Sequence, residues 1–534
     1  MSTGYNYGRM RRVGTAWAFF ILMGLFVALV VPLGEGFDEP WHLGYVQYFA
    51  QAGRLPPGPQ IHLASELDQF LVKHPIGWRL RDIFPALHSH DEYWQQPSDV
   101  RLTIDDAVRK IRFGGHFQEG SSEFSAQYES HQPPLYYVLA APLFLLSSAV
   151  LPLADVFLLT RIWSMLLAST VVPLSYLLAR RISGSVPVAS SVAMLVGMFP
   201  GLYPDVVRVS NDALAVPLAA AVFVLLAQFL ESRSDRHAVL LGLALLAGLS
   251  TKAFFIPVLF AIIVSLLWLK EIPSAAIVFV TSGAGWIWYA RNFWITGSLT
   301  GLPETVEANT TVVSSVSSIG LIGWLDVFRL AAVSHVWMGN WSLLQYRGWI
   351  YQIVLYLFGI GAAGFILYLA KSPKPVNRVL LFIYFAFAAS LIYYATQVFQ
   401  KTGIPVIQGW YLSPLVPLEA LAFVTGMRFL LPARGVTAAV AFAGLCFLAM
   451  SIYGNAFIAA PYYTGIIAHA PSGHLRAYHP QWSDIPVISA RLTRLHPWIP
   501  DAVPLSLASG SLLLGFTLIY FQIKDRSWLE KSSS

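Results

Sequence analysis

The sequence predicts an all-α polytopic membrane protein of about 12 helices (range 11–14), with a large outer loop carrying interfacial helices. Three observations predict it. Of 534 residues, 56% are hydrophobic and 12% charged, where soluble domains carry roughly 25% charged residues. Apolar runs of roughly twenty residues recur along the chain, the length at which a helix crosses the hydrocarbon of a bilayer. Basic residues cluster at every second gap between those runs, as cytoplasmic loops do.

The first helix follows Arg9, Arg11 and Arg12 and covers about 13–31. Its length and the lack of a small-x-small site after it predict an uncleaved helix with a cytoplasmic N-terminus. Further spans are expected at about 158–179, 187–205, 213–230, 237–251, 254–269, 273–293, 350–370, 379–397, 410–428, 435–456 and 505–523. Alternating them sends Arg180/Arg181, Arg233/Arg236, Lys270, Lys371/Lys374/Arg378, Arg428/Arg434 and Lys524/Arg526 to the cytoplasm. The segment 134–151 is apolar enough to span, but a full crossing there would invert every later basic loop. It is therefore expected to be re-entrant or interfacial.

The chain divides accordingly. Residues 1–32 hold the cytoplasmic N-terminus and first helix, 33–157 an outer loop with interfacial or re-entrant helices, and 158–293 helices two to seven. Residues 294–349 form an outer loop, 350–456 helices eight to eleven, 457–504 an outer loop, and 505–534 the last helix and a cytoplasmic tail. The polar residues concentrate on the outer face of the cytoplasmic membrane.

Several function classes are excluded. The net charge of +6 reflects basic loops, and no soluble module with clustered Lys and Arg suggests a nucleic-acid partner. Cys446 is the only cysteine, so no intrachain disulfide exists. The chain has no GxxxxGK[ST] phosphate loop, no HExxH, no CxxC and no GxSxG, which removes the nucleotide-driven pump and the common hydrolase motifs.

Three outer segments carry candidate chemistry. Asp38-Glu39-Pro40-Trp41-His42 opens the first loop. Pro40 suits a first helical turn with Asp38 or Glu39 as its cap, and an acid at a membrane surface is either solvated or functional. Arg208-Val209-Ser210-Asn211-Asp212, preceded by Asp205, joins two spans. Asn211 or Asp212 suits a helix cap, while an acid and a guanidinium together suit proton transfer and phosphate binding. Ser130-His131-Gln132-Pro133-Pro134-Leu135-Tyr136-Tyr137 closes the first loop, its prolines starting the next helix. Lys252 and Arg291 are charges at outer helix ends; snorkelling accounts for each alone, and with Arg208 they make a cradle for an anionic headgroup.

These motifs, in this order, resemble the integral-membrane glycosyltransferases of the GT-C superfold. The likeness is to the bacterial branch of protein O-mannosyltransferases and the lipid A aminoarabinose transferase, or a related multi-span family. It rests on Asp38 to His42, His131 to Tyr137, Asn211-Asp212, Leu249-Ser250-Thr251-Lys252 and Gly409-Trp410-Tyr411-Leu412-Ser413-Pro414. His131-Gln132 stands where the aminoarabinose transferases carry Glu-Lys, and Trp41 where they carry Arg. The resemblance implies a GT-C-like fold and a polyprenyl-phosphate sugar donor, with membrane lipids around it and a lipid, glycan or protein acceptor. Asp38 would then be the general base, and Asp212 would orient the acceptor or bind a divalent metal ion, the one cofactor considered. Glu39, His42, His131, Gln132 and Asn211 would line the acceptor side, and Arg208, Lys252 and Arg291 would hold the donor phosphate. The alternatives are a transporter or flippase for a lipid-linked saccharide, and a non-catalytic cell-envelope assembly protein.

Overall fold

A computed structural model of the chain describes residues 2–58, 60–114, 117, 126–306, 317–371 and 374–524. Its described residues are helical, with isolated bridges in place of sheet. Among the described residues, nine helices or continuous helix pairs are long and apolar enough to cross a membrane: Arg11–Val30, Leu153–Ser183, Asp212–Ser232, Ile272–Thr296, Gly348–Lys371, Pro375–Thr402, Gly409–Leu430, Ala433–Tyr463 and Ala502–Lys524. The chain is an integral membrane protein of the helical class.

The expected helices are all present, and their lengths differ. Helices stand at all twelve positions, but three are short: Val186–Met198, Asp235–Leu249 and Phe255–Trp268, of 13, 15 and 14 residues. At 1.5 Å per residue these reach about 20–22 Å, less than the ~30 Å hydrocarbon thickness. The causes are local. Pro200 and Pro204 interrupt the chain after Met198, leaving a one-turn helix Leu202–Val206 before Asp212. Ser250-Thr251-Lys252 ends the helix from Asp235, with Thr251 and Lys252 amides still donating to the Gly248 carbonyl. Both breaks turn polar backbone and side chains into the bundle, where they build the site described below. The segment 134–151 forms helix Leu135–Ser148, 14 residues with Pro142 inside.

Helices approach closely where residues are small. Gly361 and Gly364 face Gly426, whose added Cβ would collide with the Gly361 carbonyl, a small-residue contact typical of helices packed in lipid. One end of the bundle is tied by Arg181–Glu231 (2.8 Å) and Arg233–Glu271 (3.0 Å), with Lys374 donating to the Ile182 carbonyl (3.1 Å). All belong to loops expected in the cytoplasm.

At the opposite end the three long loops form one assembly. Glu35 is its hub. Its carboxylate accepts from the Ser342 amide (2.7 Å) and the Tyr463 hydroxyl (3.2 Å) and pairs with His90 (3.1 Å). Its carbonyl accepts from the Trp341 amide (3.2 Å). Asp91 accepts from the Tyr462 hydroxyl and the His469 amide and meets the His469 ring at 2.7 Å. Trp94 donates to the Tyr463 carbonyl, Arg494 reaches Asp105 (3.4 Å), and His496 reaches Asp155 (2.7 Å). Within the first loop, Ser89 and Glu92 cap each other's backbone around helix His90–Gln95, as a Ser-x-x-Glu sequence favours. The loop so fixed covers the ends of the helices that carry Asp38 and Asp212.

Candidate active site

The broken segment 202–212 supplies the centre of a buried polar cluster. Arg208 Nη2 donates to Asp205 Oδ1 (2.9 Å) and to Asp212 Oδ2 (3.0 Å), on the i+3/i+4 spacing of a turn. Ser210 Oγ adds a bond to Asp212 Oδ2 (3.0 Å), and Lys252 Nζ pairs with Asp212 Oδ1. Asp205, Arg208 and Asp212 are each at most 5% exposed. Arg208 Nε and Nη1 nevertheless have no hydrogen-bond partner among the described residues. A buried guanidinium with idle N–H groups costs free energy unless something accepts from them.

Aromatic rings cover these cations. Arg208 lies 5.8 Å from the Phe37 ring centroid, and Phe37 stacks on Trp410 (4.1 Å) and meets Trp341 edge-on (5.1 Å). Gly36 permits this approach, since a Cβ there would meet Arg208 Cβ at 2.8 Å. The cavity beside Arg208 and Asn340 measures about 10 Å³, room for roughly one water. The cluster is closed.

Asp38 enters from the first loop in the left-handed region, at φ +58°. Asp tolerates that region better than most residues, and such outliers gather at functional sites. Its carbonyl accepts from the His42 amide at the start of helix Glu39–Ala52. His42 Nδ1 meets the Tyr137 hydroxyl (2.8 Å), and His42 Nε2 stands 3.9 Å from Glu129 Oε1. Asn211 Nδ2 donates to Gln132 Oε1 (3.0 Å), and Gln132 Nε2 meets His131 Nε2 (3.1 Å). Trp288 and Asn292 hold the His131 carbonyl (2.7 and 2.8 Å).

Burial and mutual charge set the protonation states. Burial, then the Asp38 charge, holds Glu129 well above the usual carboxyl range. Burial, then Asp212, pushes Asp205 up to about 7 despite Arg208 and Lys252. Burial, then Lys252 and Arg208, keeps His42 well below its ordinary value, and burial takes His131 to about 4. For Arg208 burial acts downward, but Asp205, Asp212 and Asp38 outweigh it and raise its pKa.

The structure thus gathers Asp38, His42, His131, Gln132, Arg208, Asn211, Asp212 and Lys252, and three expected assignments need correcting. Glu39 does not line the site. It turns away into a buried pair with Arg161 (2.5 and 2.8 Å) and accepts further bonds from the Gly34, Gly36 and Val209 amides. Arg291 is spent elsewhere, donating to the Pro56 and Pro57 carbonyls (2.6 and 3.1 Å) over the Trp288 ring. Asp212 has both oxygens on cations, so it positions Arg208 and Lys252. No group of three His, Cys, Asp or Glu side chains suited to a divalent metal ion occurs among the described residues, and no metal ligand is assigned.

Sequence reasoning missed Glu129 and Arg161. Glu129 lies two residues before His131, and only the tight turn Tyr128–His131 swings it inward. Arg161 sits inside an apolar span, and a lone intramembrane arginine is the signal that points to it.

No family model matches the chain, and no curated protein matches it. Among solved structures, the chain is similar to ArnT from Cupriavidus metallidurans bound to undecaprenyl phosphate, at 12% identity and a TM-score of 0.44, over 98% of this chain and 79% of that one. It is similar also to ArnT from the same organism in the apo state, at 14% identity and a TM-score of 0.34, over 82% of this chain and 73% of that one. Likeness at these values assigns neither reaction nor residues. What stands from the geometry is an all-helical membrane protein with a buried cluster of acids and cations whose idle guanidinium donors suit an oxyanion.

Proposed function

We propose that the chain is a membrane glycosyltransferase, moving a sugar from a polyprenyl-phosphate donor to an acceptor at the outer face of the cytoplasmic membrane. The observation that carries the reading is Arg208, buried beside Lys252 with Nε and Nη1 unpartnered among the described residues. A phosphate oxyanion satisfies charged guanidinium N–H donors better than any neutral group. The position fits a lipid-linked phosphate, because the cluster lies where helices of the bundle break off, within reach of a headgroup whose tail stays in the bilayer.

In this reading Asp205 and Asp212 aim the guanidinium, and Lys252 adds the second positive charge. Asp38 takes the proton of the acceptor hydroxyl as its oxygen bonds to the anomeric carbon. The bond from that carbon to the phosphate oxygen breaks, and its electron pair leaves with the polyprenyl phosphate. Arg208 and Lys252 stabilise the charge that grows there, an effect of order 10²–10³ in rate for one well-placed donor. Substrate entry displaces the Phe37–Trp341–Trp410 stack, and its return excludes water.

A saccharide transporter needs a polar route through the bundle. The 540 Å³ cavity among helices Trp324–Val336, Gly348–Lys371, Pro375–Thr402 and Gly409–Leu430 is lined mainly by apolar side chains such as Phe328, Phe358, Ile366 and Phe385. That lining favours hydrocarbon over sugar. The test incubates purified protein in lipid nanodiscs with radiolabelled polyprenyl-phosphate sugars and membrane acceptors. Label should move with wild type and not with Asp38→Asn. Equal transfer by both removes Asp38 as base, and no transfer by wild type from any such donor removes the reading.

A further inference from the structure

Five buried glutamate and aspartate positions around the outer loops differ in what their oxygens touch. Glu39 is saturated by Arg161 and three amides. Glu35 is held by His90, the Ser342 amide and the Tyr463 hydroxyl. Glu66 accepts from Gln47, the Gly114 amide and Ser65. Asp212 has Arg208, Lys252 and Ser210. These four anchor the fold. Glu129 differs: it is 3% exposed, and its Oε2 has no hydrogen-bond partner among the described residues.

An ionised carboxylate left this way in a closed site is costly, whereas a neutral carboxyl is tolerated. The negative charges around it act in the same direction. From the first loop comes Asp38, the charge that weighs most on Glu129, together with His42 at 3.9 Å. Asp212 adds a second negative charge from its helix, and Lys252 opposes both. The Gln132 side-chain amide on the same segment also favours the charged form, as Lys252 does, and burial with the two negative charges outweighs both. Tyr137, stacked on Tyr45 at 3.7 Å, fixes the far nitrogen of His42. Burial, then Lys252 and Arg208, holds His42 well below its ordinary value, so it is a neutral neighbour and not a counter-ion.

We propose that Glu129 is a proton-bearing positioning residue of this site, standing beside Asp38 as a neutral carboxyl so that the pair holds one negative charge, on Asp38. Glu129, 3% exposed and with one oxygen unpartnered among the described residues, is the member that burial favours as the neutral form. The role rests on the transferase reading. When the acceptor proton reaches Asp38, both carboxyls are neutral and the phosphate charge meets Arg208 and Lys252 with Asp212 as the one carboxylate still paired to them. Once Glu129 loses its proton at high pH, the added negative charge faces the donor phosphate and the rate falls.

Two measurements test this. Infrared spectra of wild type and Glu129→Gln in nanodiscs at neutral pH should differ by a protonated-carboxyl band that the substitution removes, Asp205 contributing equally to both; no difference band overturns the proposal without touching the transferase reading. Transfer rates against pH should fall at the alkaline end for wild type, and Glu129→Gln should lose that limb. The mutant-to-wild-type ratio then climbs about tenfold per pH unit above the midpoint, as one titrating proton requires. An alkaline limb kept by Glu129→Gln overturns the proposal, because a purely structural glutamate would lower folded yield without moving the limb. Absence of any transfer by wild type refutes the transferase reading instead, and the infrared band still decides the state of Glu129.

Discussion

Replacing Arg161 with Met tests the scaffold that aims the site. All five guanidinium N–H groups are committed: Nε and Nη2 to Glu39 (2.8 and 2.5 Å), Nη1 to the Ala28 and Val31 carbonyls (3.1 and 2.5 Å), and Nη2 to the Pro32 carbonyl (2.9 Å). Arg161 therefore closes the C-terminal end of the first helix, whose last carbonyls lack helical partners. It also neutralises Glu39, which holds the Gly34 and Gly36 turn next to Asp38 and the Val209 amide next to Arg208. Arg161→Met leaves a fully buried carboxylate with three amides only. Breaking one side of a buried pair costs about 3–5 kcal/mol, and the orphaned carbonyls push the value toward the upper end. The double variant Glu39→Gln/Arg161→Met removes the stranded charge and should recover about 1–3 kcal/mol relative to the summed single effects. Reversible unfolding in mixed micelles, followed by the emission of the 17 tryptophans, measures both. A loss for Arg161→Met below about 1 kcal/mol, well short of a broken buried pair, or a double variant as unstable as the sum, refutes the reasoning.

Arg208→Lys keeps the charge but loses the planar fork, and transfer should drop about 10²-fold; wild-type kinetics would show that Arg208 does not meet the phosphate. Trp410→Ala removes the ring stacked on Phe37 (4.1 Å) and should raise donor hydrolysis relative to transfer, read as free sugar released; an unchanged ratio rejects the closing role of the stack. Asp205 has its folded pKa raised from 3.8 to about 7, by burial and then Asp212. The folded state thus holds the extra proton, and the stability it contributes is full below pH 3.8 and lost as pH rises through 7. Asp205→Asn should flatten the thermal-stability profile across that window, and an unaltered slope would show the group titrates normally. For Asp91 burial alone would raise the pKa, but the bonds from His469 and Tyr462 prevail and lower it. Its contribution is present above its unfolded value and lost as pH falls through the folded one. Protease cleavage of the 457–504 loop should therefore accelerate in acid for wild type, and Asp91→Asn should be cleaved quickly at neutral pH as well. Resistance of that variant would show the loop is held by other contacts.

The sequence alone determined the helical membrane class, the sites of the helices and the segments that bear the polar cluster. Those follow from burial in lipid, which imposes long apolar stretches, basic loops and proline or polar breaks that no fold can hide. It did not distinguish the roles of neighbouring acids. Asp38 and Glu39 are adjacent in the chain, yet one faces Arg208 and Glu129 while the other is buried against Arg161, 122 positions away. Only the tertiary structure decided that, because a side chain's role depends on partners brought from distant segments and on the direction a single left-handed residue gives the chain. The same reason hid Glu129, which is marked by an oxygen without a partner among the described residues, a property of the surroundings and of no local pattern.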